Sequence, residues 1–229
     1  MRAMATRSRP SQRREDSLSR ERIVDASIDL LDAGGEDGLT FRALSERLAT
    51  GPGALYNHIA DKSALLTAAC DALVVRTLHD VKPGSTPRAA IRGIALALFD
   101  AMDTHPWMGS ALVQSAGQSP SVRILERVGQ QLQALGVPRG GQWAAASALL
   151  HYIVGVGGHN AAQSQFAQSR GLDRDDFLGT VSAAWAALDA TQFPFARSMA
   201  PQLAVHDDRA DFLAGINLLL DGLRPAPRR

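Results

Sequence analysis

Three residues, Ala49-Thr50-Gly51, break a helical apolar pattern that restarts at once with Pro52. Ahead of the break, Phe41, Leu44 and Leu48 recur at helical spacing; after it, Leu55 and Ile59 do the same. Thr40 is a good N-cap, because its hydroxyl can accept a hydrogen bond from a free backbone N–H of the first turn. Pro52 suits the first position of a helix, where its missing N–H would have had no partner. Two helices this short need a third to pack on. Ile23, Ala26, Ser27, Leu30 and Leu31 supply it, in a helix opened by Ser19 and Glu21 and stopped at Gly34-Gly35. The predicted unit is a helix-turn-helix whose second helix, Pro52 to about Ile59, is held by Leu44, Leu48, Leu55 and Ile59 and turns Tyr56, Asn57 and His58 outward.

Downstream, Asp61 caps a fourth helix from Lys62 to about Val81, with Leu65, Leu66, Ala69, Leu73 and Val74 on its apolar face. The turn-rich segment Lys82-Pro-Gly-Ser-Thr-Pro87 then divides the chain. Residues 1–18 read as a flexible basic arm, 19–81 as a headpiece with its linking helix, and 88–223 as a larger body. In the body, helices are expected at about 88–104, 107–116, 121–135, 142–168, 174–188 and 207–223, and 224–229 as a frayed tail. No run alternates with period two, and the apolar set is dominated by the strong helix formers Ala and Leu, so the fold class is all-α.

Charge does not carry the reading. The net charge is only +1; seven Arg oppose three acids over residues 1–22, but three bases face seven acids over 23–62. The single cysteine, Cys70, allows no intrachain disulfide and suits a reducing cytoplasm. No apolar signal segment follows the Arg-rich start. Residues 140–169 carry no charge, yet His151, His159, Asn160 and two glutamines interrupt them, which fits a helix buried in protein better than a membrane span. His105, His151, His159 and His206 match no standard zinc spacing, so no metal is expected. Gly155-Val-Gly-Gly158 has no strand before it, so no nucleotide cofactor is expected either. No catalytic constellation stands out, which argues against an enzyme.

The headpiece resembles the tetracycline-repressor (TetR/AcrR) family of transcription regulators. The resemblance rests on Gly38-Leu-Thr-Phe-Arg-Ala-Leu44, Leu48, Gly53-Ala-Leu-Tyr-Asn-His58, Asp61-Lys62 and Leu65-Leu66. The turn Ala49-Thr50-Gly51 departs from the family's usual Gly-Val-Ser. The body is similar to the family's C-terminal domain at residues 99–107, 150–155 and 212–223. The resemblance implies a homodimer that binds a palindromic double-stranded DNA operator, most simply as a repressor, and is released by a small-molecule effector. An activator or dual regulator would share the same DNA binding; a helical small-molecule carrier or enzyme is the rival from another class.

Residue by residue, Thr40 and Arg42 then open the bracing helix at the DNA, where an Arg can bond guanine or remain a solvated surface charge. Pro52, Gly53 and Ala54 lie at the start of the recognition helix, where Gly53 and Ala54 permit close approach or meet a thymine methyl, with Asn57 beside them. Tyr56 and His58 resemble a phosphate-contacting pair, with packing inside the headpiece as the other reading. Lys62 can hold a phosphate at a helix start. Phe99, Met102, His105, Trp107, Met108, Gln114 and His151 have the make-up of a ligand pocket, and equally of ordinary core. The resemblance places Gly155 and Gly158, with Leu213, Ile216, Leu219 and Leu220, in an intersubunit bundle. It also makes the fourth helix the lever between effector and DNA.

Overall fold

The computed structural model describes residues 18–223. The expected basic arm therefore lies outside the described residues except for Leu18, as does the tail from residue 224. Among the described residues there are eleven helices and no strand. Contacts divide the chain into two units at Ala69/Cys70, inside the fourth helix and ahead of the 82–87 break.

In the first unit, α1 (Arg20–Gly38) opens where the Ser19 hydroxyl accepts from the Arg22 N–H at 3.2 Å. Ile23, Val24, Ala26, Ile28 and Leu31 are buried. Ser27 lies among them, its hydroxyl donating to the Ile23 carbonyl at 2.7 Å, which satisfies it without solvent. Helical residues continue to Gly38, but Gly35 has φ 61° and ψ −160°, so the regular helix is interrupted where the glycine pair stands. α2 (Phe41–Arg47) is capped by Thr40, whose Oγ1 accepts from the Ala43 N–H at 3.1 Å. α3 (Pro52–Tyr56) is shorter than its sequence pattern suggests, because residues 57–58 turn towards the next cap. That cap is Asp61, whose carboxylate accepts from the Ala64 N–H at 2.8 Å and opens α4 (Lys62–Asp80). Leu44, Leu55, Ile59, Leu65 and Leu66 are buried, as their spacing predicts.

The second unit begins with the rest of α4, where Cys70, Leu73, Val74 and Leu78 are buried. It continues through α5 (Pro87–Thr104), α6 (Trp107–Gln114), α7 (Ser119–Ala134) and the long α8 (Arg139–Ser169). Then come α9 (Arg174–Ala186), α10 (Pro194–Leu203) and α11 (Asp208–Asp221). α5, α6, α7 and α11 all pack on α8, and α9 packs on α10. The helices expected from the sequence leave 189–206 without one, and α10 falls there. Pro194 stands at the start, where no N–H is needed, whereas Pro201 lies inside the helix near its end and has no N–H to give the Arg197 carbonyl.

Polar ties hold α11 to α5. Arg209 grips Asp100 with two bonds of 2.9 and 3.1 Å, Arg92 donates to Asn217 at 2.6 Å, and Arg88 reaches Asp221 and the Leu220 carbonyl. A bidentate Arg123–Asp71 pair, at 2.7 and 3.2 Å, ties α7 to the C-terminal part of α4. No helix of the described residues is long and apolar enough to cross a membrane. Among the described residues no three His, Cys, Asp or Glu side chains gather as metal ligands.

Candidate nucleic-acid interface and ligand cavity

The turn between α2 and α3 is a tight helix ending. The Thr50 N–H donates to the Ser45 carbonyl at 3.0 Å and the Ala49 N–H to the Glu46 carbonyl at 3.3 Å. These are the two bonds of a Schellman motif, which needs a left-handed residue at its second-last position. That residue is Ala49, at φ 47°. The same motif ends α7 and α8 with Gly136 and Gly171.

Past this turn, the Tyr56 ring lies flat on the Phe41 ring, with centroids 4.5 Å apart and planes within 8°. Tyr56 nonetheless stays 56% exposed. Packing and presentation are therefore not alternatives here: one face of the ring is anchored on α2 and the other meets solvent. His58 is half-buried, and its carbonyl accepts from the Arg20 guanidinium at 3.3 Å. Thr40, Arg42, Pro52, Gly53, Asn57 and Lys62 are exposed, and Ala54 half-buried. The Thr40 oxygen is engaged in its cap, which leaves its hydroxyl hydrogen to donate outward. Arg42 bonds Glu46 one turn on at 3.0 Å. An exposed pair of this kind is worth about 0.3–0.5 kcal/mol, so it opens readily towards a stronger acceptor. The Asp61 carboxylate, beside Lys62, already occupies one free N–H, that of Ala64, at the start of α4.

In the second unit the seven pocket candidates do not share one cavity. Met102 and Met108 are fully buried and Trp107 nearly so, within the interior. Phe99 lines a cavity of about 380 Å³, bounded by α5, α8, α9, α10 and α11. His151 is exposed and lines a different cavity of about 330 Å³, with Trp143, Val122 and Leu125. His105 is half-buried and Gln114 exposed, and neither lines these two. The first cavity is walled by residues the spacing did not bring forward: Tyr152, Phe177, Trp185, His206 and Phe212. They come from four places along 60 residues of chain, so no local period could gather them.

Two glycines of α8, Gly157 and Gly158, make close approaches within the chain. A Cβ on Gly157 would stand 2.2 Å from the Met102 methyl, and one on Gly109 would stand 2.7 Å from the Gly158 Cα. Gly158 thus lets α6 lie against α8 within one chain, while Gly155 is exposed with nothing against it. Ile216 and Leu220 are 0% exposed in the single chain, so they have no surface to offer a partner; Leu213 and Leu219 are half-buried. The apolar residue that α11 does present is Leu218, 75% exposed.

Residues 23–69 match the bacterial regulatory proteins of the tetR family, and residues 82–226 match the tetracyclin repressor-like C-terminal domain. The chain belongs to the tetR family. This tetR-family chain is similar to the solved transcriptional regulator SCO7222, a TetR from Streptomyces coelicolor. The two are 50% identical with a TM-score of 0.79, over 90% of this chain and 97% of that one. It is also similar to BioQ solved with its natural double-stranded DNA operator, at 28% identity and a TM-score of 0.58, over 83% and 100% of the two chains. An HTH-type transcriptional regulator of Saccharopolyspora erythraea is 32% identical over 141 residues, which span 60% of this chain and 59% of that relative. The chain is a regulator of transcription with an N-terminal helix-turn-helix and a helical C-terminal body.

Proposed function

We propose that this tetR-family chain is a cytoplasmic homodimeric repressor, without enzymatic activity, that occupies a pseudo-palindromic DNA operator and is released by a small molecule. The observation that carries the reading is the α2–α3 unit: a left-handed turn at Ala49 and a Phe41–Tyr56 stack that together fix a short, solvent-facing helix. An α-helix of this kind fits the major groove. Tyr56, Lys62 and the Thr40 hydroxyl are suited to phosphates, and Arg42 to a phosphate or a guanine edge. A dimer seated on the operator blocks transcription by occupancy.

Dimerisation is assigned to the exposed faces of α8 and α11, which carry Ala148, His151, Gly155, Ala214 and Leu218. The effector site is assigned to the cavity beside Phe99, Tyr152 and Phe212. α4 is one continuous helix from Lys62, and its later part is tied to α7 by Arg123–Asp71, so movement in the body has a covalent route to the headpiece. Such coupling is reciprocal: operator DNA weakens effector binding by the factor by which effector weakens DNA binding.

The test is a gel shift with the DNA flanking the chain's own gene, followed by footprinting. Two protected half-sites about one helical turn, roughly 34–36 Å, apart are expected. Affinity falls steeply as salt rises, because phosphate contacts release counterions. Salt-independent binding, or a single protected half-site bound by a monomer, overturns the reading.

A further inference from the structure

The cavity beside Phe99 has one wall built of stacked rings. Phe99 and Phe212 lie 4.6 Å apart and Tyr152 and Phe212 5.5 Å apart, all within 27° of parallel. Tyr152 is locked in this stack: its hydroxyl donates to the Phe212 carbonyl at 3.2 Å, and the ring fills the space that a Cβ on Gly215 would take. Phe177 and Trp185 of α9 also line the cavity. Phe99 and Phe212 are almost wholly buried in this stack, so the ring surface that reaches the cavity is that of Tyr152, Phe177 and Trp185, and a volume of about 380 Å³ beside them admits a fused-ring ligand of small size.

The charges on the lining have one sign. Among the described residues no lysine or arginine lines this cavity, while Asp208 and Asp211 do. Asp208 is largely offset, since it accepts from Arg174 at 2.8 Å and contacts His206 at 2.7 Å. Asp211 is exposed and in no ion pair among the described residues. Its field reaches the ring wall: the Tyr152 phenol is pushed up from its ordinary value first by burial and then by the Asp211 carboxylate. The remaining polar groups include the neutral side chains of Asn160 and Gln163, with Gln163 against the His159 ring at 2.7 Å.

We propose that this cavity selects planar aromatic cations over anions of the same shape, and that Asp211 sets the preference. The proposal rests on the reading of this cavity as the effector site. The accessible rings of Trp185, Phe177 and Tyr152 attract a cation held against them, and the Asp211 carboxylate at the rim adds to that attraction while repelling an anion. Asp211 is therefore a specificity residue, with no part in holding the fold beyond the first turn of α11.

The experiment uses the full chain without DNA and three probes built on one tricyclic frame. These are 9-aminoacridine, a cation at neutral pH; 9-anthracenemethanol, neutral; and 9-anthracenecarboxylate, an anion. Equilibrium dialysis gives each Kd. The cation is expected to bind at least about tenfold more tightly than the carboxylate, with the neutral probe between them. Asp211→Asn is expected to shrink that ratio to about threefold or less while the neutral probe is unaffected. Val181→Trp, which fills the cavity from α9, is expected to weaken all three. A carboxylate that binds as well as the cation, a ratio unchanged by Asp211→Asn in a folded protein, or no binding by any probe overturns the proposal. A gel shift in parallel separates the two readings. If the cation binds with the expected preference but never loosens DNA, the ligand chemistry stands and the effector role fails.

Discussion

Replacing Ala49 by glycine should stabilise this protein, although it removes a methyl group and adds freedom to the unfolded chain. Ala49 holds φ 47° in the turn that sets α3 against α2. A left-handed conformation costs an L-residue about 1–2 kcal/mol, through the clash of Cβ with the following carbonyl. Glycine removes that cost but loses about 0.4–1 kcal/mol through its more flexible unfolded state. The net expected gain is about 0.5–1 kcal/mol, or roughly 1–4 °C in Tm for a chain of this size. The two hydrogen bonds from Ala49 and Thr50 involve only backbone atoms, so they persist in the variant. Thermal and urea unfolding measure the gain, and hydrogen exchange at the amides of residues 49 and 50 locates it. Ala49→Val is the opposing control: a β-branched residue at positive φ should lower stability and exchange protection. Operator affinity of Ala49→Gly should stay within about twofold of the parent, because the exposed face of α3 is unchanged. If glycine lowers stability, or valine costs nothing, the turn is not left-handed and the argument for how α3 is aimed fails.

Three further outcomes are expected. Tyr56→Phe keeps the stack on Phe41 and should leave stability unchanged while weakening binding to all DNA sequences alike. Tyr56→Ala should lose both, and a Tyr56→Phe variant with full DNA affinity removes the hydroxyl from the interface. Leu218→Arg, on an exposed position, should stay folded but run as a monomer at micromolar concentration and lose operator binding. Leu220→Arg should instead unfold the body by burying an unpaired charge, and a dimeric Leu218→Arg protein would place the interface elsewhere. Burial, helped by Asp71, pushes the Cys70 thiol from about 9 up to about 12. Its folded value is raised, so the stabilisation of the neutral thiol is complete below pH 9 and is lost as pH rises through about 12. At pH 8 a thiol reagent should therefore label the native protein at its unfolding rate, with about a thousandfold less thiolate than in the unfolded chain; fast labelling under native conditions would contradict the burial.

Local chemistry made the headpiece legible in the sequence. Ser19, Thr40 and Asp61 each cap the helix assigned to them, because a cap is decided within three or four residues. The break at 49–51 and the start at Pro52 follow from the same short-range rules, as does the burial of Leu44, Leu55 and Ile59. The family resemblance in that region rests on the same residues. What those rules left open was whether Tyr56 packs or faces out, and the stack on Phe41 shows that it does both.

Tertiary structure alone decided what the helices of the body face. A helical period says that Met102, Ile216 and Leu220 face something apolar, but not whether that is their own chain, a ligand or a second copy. The structure puts all three in the interior of one chain. The close approaches at Gly157 and Gly158 depend on Met102 and Gly109, tens of residues away, so the run of small residues could not reveal its own purpose. The cavity is the extreme case. Phe99, Tyr152, Trp185 and Phe212 meet only because α5, α8, α9 and α11 converge, and convergence is a property of packing between helices that no period within one helix contains.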